Sequence, residues 1–145
     1  MEMSEILNHM MEPRNYGTMD SCDADGIGKN PENSEKVAIY LKVKDNKILD
    51  IKFQAIGCST TIVAGSIFTD SVKGQLIEDA DELADKILNM LDGMNSEEAA
   101  CSEMVALAYK ASLETYMHRL EDLTYPTITK MISGTCQPKE TEEEK

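Results

Sequence analysis

Tryptophan is absent from this sequence of 145 residues, and aromatic residues make up only 5% of it. No run of apolar residues is long enough to cross a bilayer, which argues against a helical membrane protein. The opening Met-Glu-Met-Ser-Glu has acids where a secretory signal has bases. We therefore expect a cytoplasmic protein. Its length suits one domain, and its 41% hydrophobic content supports one core.

Basic residues are scarce: 14 stand against 27 acids, giving a net charge of −13. Nucleic acids and anionic membranes should repel such a chain, so we expect neither as a partner. The excess acid serves solubility, or else it fits a partner with a basic docking patch. Part of it lies near the C-terminus in Glu140, Glu142, Glu143 and Glu144, a pattern typical of a solvated tail.

The four cysteines form no Cys-x-x-Cys pair, so their local spacing gives no zinc-knuckle or thioredoxin signal. In a reducing compartment, spaced thiols bind metal or carry sulfur more often than they form structural disulfides. A thiol hydrolase would need a Cys–His pair. His9 and His118 have no evident place beside a cysteine, and we expect the first to be structural and the second to lie on the surface. We predict no enzyme and no catalytic residue.

The first half of the chain predicts a helix and a β-hairpin. Residues 4–11 read as a short helix with Ser4 as N-cap, and residues 15–34 as a long loop with at most a short edge strand. Apolar residues alternate over 37–43 and over 48–54, which predicts two half-buried strands. The second strand should point Leu49, Ile51 and Phe53 inward.

The second half predicts three helices, over about 60–73, 78–91 and 97–120, with Ser96 capping the last. A sheet with one apolar face must bury it, and the helices that follow can cover that face. The order of elements therefore predicts a two-layer α+β sandwich.

Two cysteines stand where helices begin. Cys58 follows a strand and a glycine and directly precedes a predicted helix, and Cys101 lies in the first turns of another. Helix N-termini lower the pKa of a thiol, and the thiolate is the form that binds metal or attacks a persulfide. The alternative is that each is a small buried apolar residue. Spacing alone leaves both interpretations open.

Several segments resemble the NifU/IscU-type iron–sulfur cluster scaffolds. Residues 4–17 resemble the family's opening helix and its Asn-Pro-Arg-Asn-x-Gly, and residues 51–58 its strand leading to Phe-Gly-Cys-Gly. Residues 69–74 resemble Thr-Glu-x-Val-Lys-Gly, and Cys101 with the serine after it resembles His-Cys-Ser. The resemblance covers about residues 4–118, in order.

The resemblance implies a three-stranded antiparallel sheet covered by helices on one face. It also implies a scaffold domain over residues 1–122, leaving 123–145 as an extension with the acidic tail. In that family three cysteines and an aspartate hold a nascent cluster. Here Cys58 and Cys101 match two of the cysteines, Asn33 stands in place of the first, and Glu35 replaces the aspartate.

The resemblance therefore implies a scaffold or carrier that binds iron or a [2Fe–2S] cluster through a modified ligand set. Cys58 and Cys101 would bind the cluster, with Glu35 as a third ligand. Such a cluster normally takes four protein ligands. Cys22 and Cys136 could each complete the set, or each could be an incidental thiol. Zinc could occupy a thiolate site in the purified protein.

The implied partners are a cysteine desulfurase, which supplies sulfur, and acceptor apo-proteins, which receive the cluster. Two chains could also share one cluster in a homodimer, with two cysteines from each. The family's chaperone-binding Leu-Pro-Pro-Val-Lys segment is missing before Cys101, so we do not expect that chaperone. Two alternatives remain: a desulfurase-binding adaptor without a cluster, and a carrier of persulfide sulfur on Cys101.

Overall fold

The computed structural model describes residues 3–32, 34–57 and 59–132. Asn33, Cys58, Cys136 and the acidic tail lie outside these described residues. Four α-helices, one 3₁₀ turn and four strands make up the described part of the chain. In chain order they are α1 (Met3–Met11), β1 (Ala24–Lys29), β2 (Lys36–Lys44), β3 (Lys47–Ile56), α2 (Ser59–Val72), α3 (Ile77–Asn89), a 3₁₀ turn (Leu91–Gly93), α4 (Ser96–Arg119) and β4 (Ile128–Met131).

The strands form one mixed sheet in the order β3-β2-β1-β4. The predicted hairpin is confirmed as β2 and β3, joined through Asp45 and Asn46. Both of these residues have positive φ, as the favoured two-residue hairpin turn requires. The prediction of three antiparallel strands is wrong, because β4 pairs in parallel with β1 and adds a fourth. A four-residue strand that depends on a distant partner leaves little local pattern in the sequence.

The sequence prediction is wrong about the orientation of one side chain of the hairpin, that of Leu49. Leu49 is exposed, whereas Ile48, Ile51 and Phe53 are buried. The β2–β3 register shifts between Lys42 and Val43, and this irregularity changes which residues face inward along β3. Strict alternation from Leu49 therefore fails at the start of the strand and holds from Ile51 onward.

All the helices that contact the sheet lie on one of its faces, as the sequence predicts. Helix α4 packs on β1 so closely that a Cβ on Gly26 would stand 2.1 Å from the backbone nitrogen of Ser112. Helix α2 packs on β3, where Gly65 leaves room for the ring of Phe53. Only glycine permits these approaches. They hold the helical layer in a fixed position over the sheet.

Two predicted helix caps are wrong. Ser4 lies inside α1, which already includes Met3. The N-cap of α4 is Asn95 rather than Ser96, since the Asn95 side chain accepts a hydrogen bond from the Glu98 backbone N–H at 2.9 Å. Asparagine and serine are comparable caps, so adjacent candidates cannot be ranked from sequence.

The two histidines lie where the sequence placed them. His9 is buried, and its Nδ1 lies 2.7 Å from the Ser66 hydroxyl oxygen, which also accepts a hydrogen bond from the Arg14 backbone N–H. It thus ties α1 to α2. His118 is exposed near the end of α4 and stacks on Tyr125 at 4.1 Å between ring centroids.

Candidate metal centre

The candidate site lies at one end of the sheet, where β2 begins and β3 ends. The antiparallel register pairs Lys36 with Ile56, so the residues just outside the two strands, Glu35 and Gly57, stand opposite each other. A Cβ built on Gly57 would lie 3.4 Å from the Glu35 carboxyl carbon and 3.2 Å from the Thr61 hydroxyl. The carboxylate therefore reaches the strand end that leads into Cys58.

Helix α4 brings Cys101 to the same end. Its Sγ lies 3.0 Å from the Thr61 hydroxyl oxygen, and both side chains are buried, at 2% and 0% exposure. Thr61 belongs to the first turn of α2, three residues after Cys58 in sequence. Glu35, Thr61 and Cys101 therefore gather around the start of α2, as the resemblance implied for Glu35 and Cys101.

The Thr61 hydroxyl is close enough to donate to a Cys101 thiolate, whereas the dipole of α4 acts mainly within the first turn of the helix. Cys101 is the sixth residue of α4, whereas the dipole's effect falls off within the first turn. That first turn also carries two acids, Glu97 and Glu98, which oppose a nearby negative charge. A hydroxyl at 3.0 Å, by contrast, can donate directly to a thiolate. Position in the helix therefore does not explain an activated thiol at Cys101.

A hydrogen bond links the two helices beside the site. The Thr60 hydroxyl donates to the Glu97 carboxylate at 2.7 Å, joining the first turn of α2 to the first turn of α4. Cys58 precedes one of these turns and Cys101 follows the other. The bond therefore links the two segments that carry Cys58 and Cys101, the cysteines that match the family's ligand positions.

Cys22 is not brought to this end. It lies just before β1, near Asp25 and Arg119, whereas Cys101 lies near the opposite end of α4. Eighteen residues of helix separate Cys101 from Arg119, about 27 Å at 1.5 Å per residue. Burial and the nearby Asp25 carboxylate raise the pKa of the Cys22 thiol, which disfavours the thiolate form that binds metal.

Thr61 is a site residue that the sequence motifs do not reveal, although it contacts the buried thiol. Its only sequence signal is its position, three residues after a cysteine at a helix start. Among the described residues no three His, Cys, Asp or Glu side chains converge closely enough to hold a metal ion. The described donors nearest the site are one sulfur and one carboxylate, a set that fits iron or zinc when further thiolates join it.

No helix among the described residues is both long and apolar enough to cross a membrane.

Solved structures of other proteins share this fold. One, described as a scaffold for iron–sulfur cluster assembly in the SUF system of Fervidobacterium islandicum AW-1, matches 77% of this chain and 96% of its own, with a TM-score of 0.68 at 17% identity. The N-terminal part of a NifU-like protein from Brucella abortus matches with a TM-score of 0.67 at 13% identity, over 79% of this chain and 93% of its own.

The family is shown by sequence as well. Residues 1–122 match the model of the NifU-like N terminal domain, and the chain belongs to that family. The iron–sulfur cluster assembly scaffold protein IscU 1 of Archaeoglobus fulgidus is 36% identical over 122 residues, which are 82% of this chain and 78% of the relative. The IscU scaffold of Azotobacter vinelandii is 27% identical over 119 residues, 79% of this chain and 93% of its own.

Proposed function

We propose that this protein is a scaffold or carrier for iron–sulfur cluster assembly that holds iron or a [2Fe–2S] cluster as cargo. The observation that supports the proposal most is the meeting of Glu35, Thr61 and Cys101 at the start of α2. Membership in the family supplies the second support. Cys58 and Cys101 would bind the cargo, and Glu35 would add an oxygen ligand.

Sulfur would reach the site from a cysteine desulfurase. A thiolate of this chain would attack the outer sulfur of the desulfurase persulfide, forming a new S–S bond while the desulfurase cysteine leaves as a thiolate. Acceptor apo-proteins would then receive the cluster. The Thr61 hydroxyl assists by donating to the Cys101 sulfur in its thiolate form.

We further propose that Cys136 supplies the third thiolate that Asn33 cannot. Strand β4 runs parallel to β1 and ends beside Lys29, and the Ile132 backbone N–H donates to the Lys29 carbonyl at 2.9 Å. The next residue, Asn30, donates to the Glu35 carbonyl at 2.9 Å. The chain therefore leaves β4 at the site's end of the sheet.

The distance that remains is short enough for Cys136. Cys136 is the fourth residue after Ile132, and an extended chain covers about 13 Å over four residues. Neighbouring strands are about 4.8 Å apart, so β4 and β2 are separated by about 10 Å. On this proposal residues 1–122 form the scaffold domain, and the extension over 123–145 completes its ligand set.

Anaerobic reconstitution with iron and sulfide tests the proposal, followed by absorption spectra and metal analysis. Cys58→Ser and Cys101→Ser should each abolish the chromophore, and Cys136→Ser should weaken or abolish it. Cys22→Ser is the matched control, since it removes a thiol from the opposite end of the sheet. Equal loss of iron in all four variants would contradict the assignment of ligands.

Asn33→Cys is the complementary variant. If the missing thiol limits cluster retention, restoring it should make the cluster independent of Cys136. Sedimentation of the loaded protein would distinguish a monomer from a homodimer in which two chains share one cluster. Zinc bound to the aerobically purified protein would show that the same thiolate site can hold a different metal.

Two other results would favour the alternatives. A protein that binds a desulfurase but takes up neither iron nor zinc is an adaptor. A protein that accepts a persulfide on Cys101 and holds no metal is a sulfur carrier. Both readings predict that Glu35→Gln leaves the function unchanged, whereas the scaffold proposal predicts a loss of iron affinity.

A further inference from the structure

The face of the sheet away from the helices carries an unusual charge for this protein. We call it the open face, and it is formed by Asp25, Ile27, Lys29, Lys36, Ala38, Tyr40, Lys42, Asp50, Lys52 and Gln54, which alternate with the buried residues of β1, β2 and β3. This face carries four lysines, Lys29, Lys36, Lys42 and Lys52, against two aspartates, whereas the whole chain has 14 bases against 27 acids. The open face is therefore a basic surface on an acidic molecule.

The charges of this face are unevenly paired. Its Asp25 lies 3.4 Å from the Arg119 guanidinium, and Asp50, which stands opposite Lys42 in the register, lies 3.2 Å from the Lys73 ammonium. Both acids thus have a cation from outside the face. Within the described part of the chain, no ion pair involves Lys29, Lys36, Lys42 or Lys52.

The C-terminal segment starts beside these lysines. Met131 of β4 pairs with Lys29 of β1, and Lys29 pairs with Lys36 of β2. The chain therefore leaves β4 beside two of the four lysines of the open face. Eight residues beyond Ile132 the sequence reads Glu-Thr-Glu-Glu-Glu over 140–144. Eight extended residues span about 26 Å, more than the width of about 14 Å between the outer strands of the sheet.

We propose that the acidic run 140–144 of this chain's own C-terminal segment lies on the open face and pairs with Lys29, Lys36, Lys42 and Lys52. Tethering raises the local concentration of such a segment to the order of millimolar, which favours this occupant over a free acidic peptide. Exposed ion pairs are individually weak and are screened by salt, so the contact is reversible. An acidic protein surface that uses this face must displace the tail first.

Zero-length carbodiimide crosslinking of the full chain tests this proposal, at low protein concentration and low salt. Monomer and dimer bands are separated, digested and mapped by mass spectrometry. We expect crosslinks within the monomer between residues 140–144 and Lys36 or Lys52, with yields reduced several-fold in 1 M salt, where the Debye length is about 3 Å.

Matched variants locate the contact. Lys36→Gln with Lys52→Gln should remove most of the crosslinks to the tail, whereas Lys86→Gln should not change them, because Lys86 is exposed on α3 in the other layer. Replacing Glu142, Glu143 and Glu144 by Gln should have the same effect as the double lysine variant.

Three outcomes would overturn the proposal: crosslinks confined to the dimer band, which assign the face to a second copy; equal crosslinks to Lys86, which show an unlocalised tail; or no crosslinks to the tail. None of these measurements involves iron or sulfide, so the proposal stands or fails independently of the scaffold function.

Discussion

The contact between β1 and α4 gives the sharpest test of the fold, through Gly28→Ala. A Cβ at this position would stand 2.1 Å from the Met104 carbonyl oxygen and 3.0 Å from the Ala108 backbone nitrogen. Real Cβ atoms essentially never approach another atom within 3.0 Å. Both obstacles are backbone atoms of a helix, so no side chain can move aside to make room.

The helix or the strand must therefore retreat by about 1 Å, and overpacking of this kind costs about 1–3 kcal/mol. We expect the upper end, about 3 kcal/mol, because β1 is held between β2 and β4 and cannot shift freely. For a domain of this size such a loss lowers Tm by about 6–12 °C. Urea unfolding followed by circular dichroism measures the change in the free energy of unfolding.

Gly93→Ala is the matched control. Nothing lies within 4 Å of its Cβ position, and its φ is not in the left-handed region. Its stability should stay the same or rise by about 0.4–1 kcal/mol, because alanine restricts the unfolded chain. If Gly28→Ala and Gly93→Ala unfold at the same urea concentration, the close approach of α4 to β1 is not real.

Variants at three further sites test single contacts. Thr61→Val removes a hydroxyl from the buried thiol and should weaken iron binding about tenfold in a competition titration, whereas Thr61→Ser should preserve it. Asn95→Ala should lower the free energy of unfolding by about 1 kcal/mol and Ser96→Ala should not; the reverse result would restore the serine as cap. With its raised pKa, Cys22 should alkylate more slowly at neutral pH than a free cysteine. Asp25→Asn should speed that reaction, and an unchanged rate would remove the carboxylate as a cause.

Local pattern was sufficient for the central elements of the fold. The hairpin follows from period-two alternation over residues 37–43 and 48–54, and α3 from apolar residues at helical spacing. The orientation of Leu49 could not be predicted because β3 carries an extra residue at this point. Lys42 pairs with Asp50 and Val43 with Ile48, so the register passes over Leu49, and period-two alternation in the sequence does not reveal such a bulge. Ser96 and Asn95 are equivalent candidates until the backbone selects one of them.

Part of the candidate site can likewise be predicted from the sequence, and part depends on how the helices pack. Motif resemblance predicted that Glu35 and Cys101 belong to one site, and the structure brings the segments of both to the end of the sheet where β2 begins. For Cys101 the sequence offers two interpretations, a thiol activated by the helix terminus or a small buried residue, because a sequence shows only position along the helix. The hydroxyl of Thr61 belongs to another helix, so its contact with the thiol is a property of the packing of α2 against α4.

The direction of strand β4 distinguishes Cys22 from Cys136 as candidate ligands. In sequence, Cys22 and Cys136 are equivalent, each lying outside the family's ligand positions. Cys22 precedes β1 and so begins at the end of the sheet away from Glu35, and its neighbours Asp25 and Arg119 fix it there. Because β4 is parallel to β1, the chain that continues to Cys136 departs from the opposite end. Had β4 been antiparallel, Cys136 would start from the Cys22 end and neither thiol could reach the site. The direction of one four-residue strand thus favours Cys136 as the third thiolate, which the spectra of Cys136→Ser and Cys22→Ser would decide.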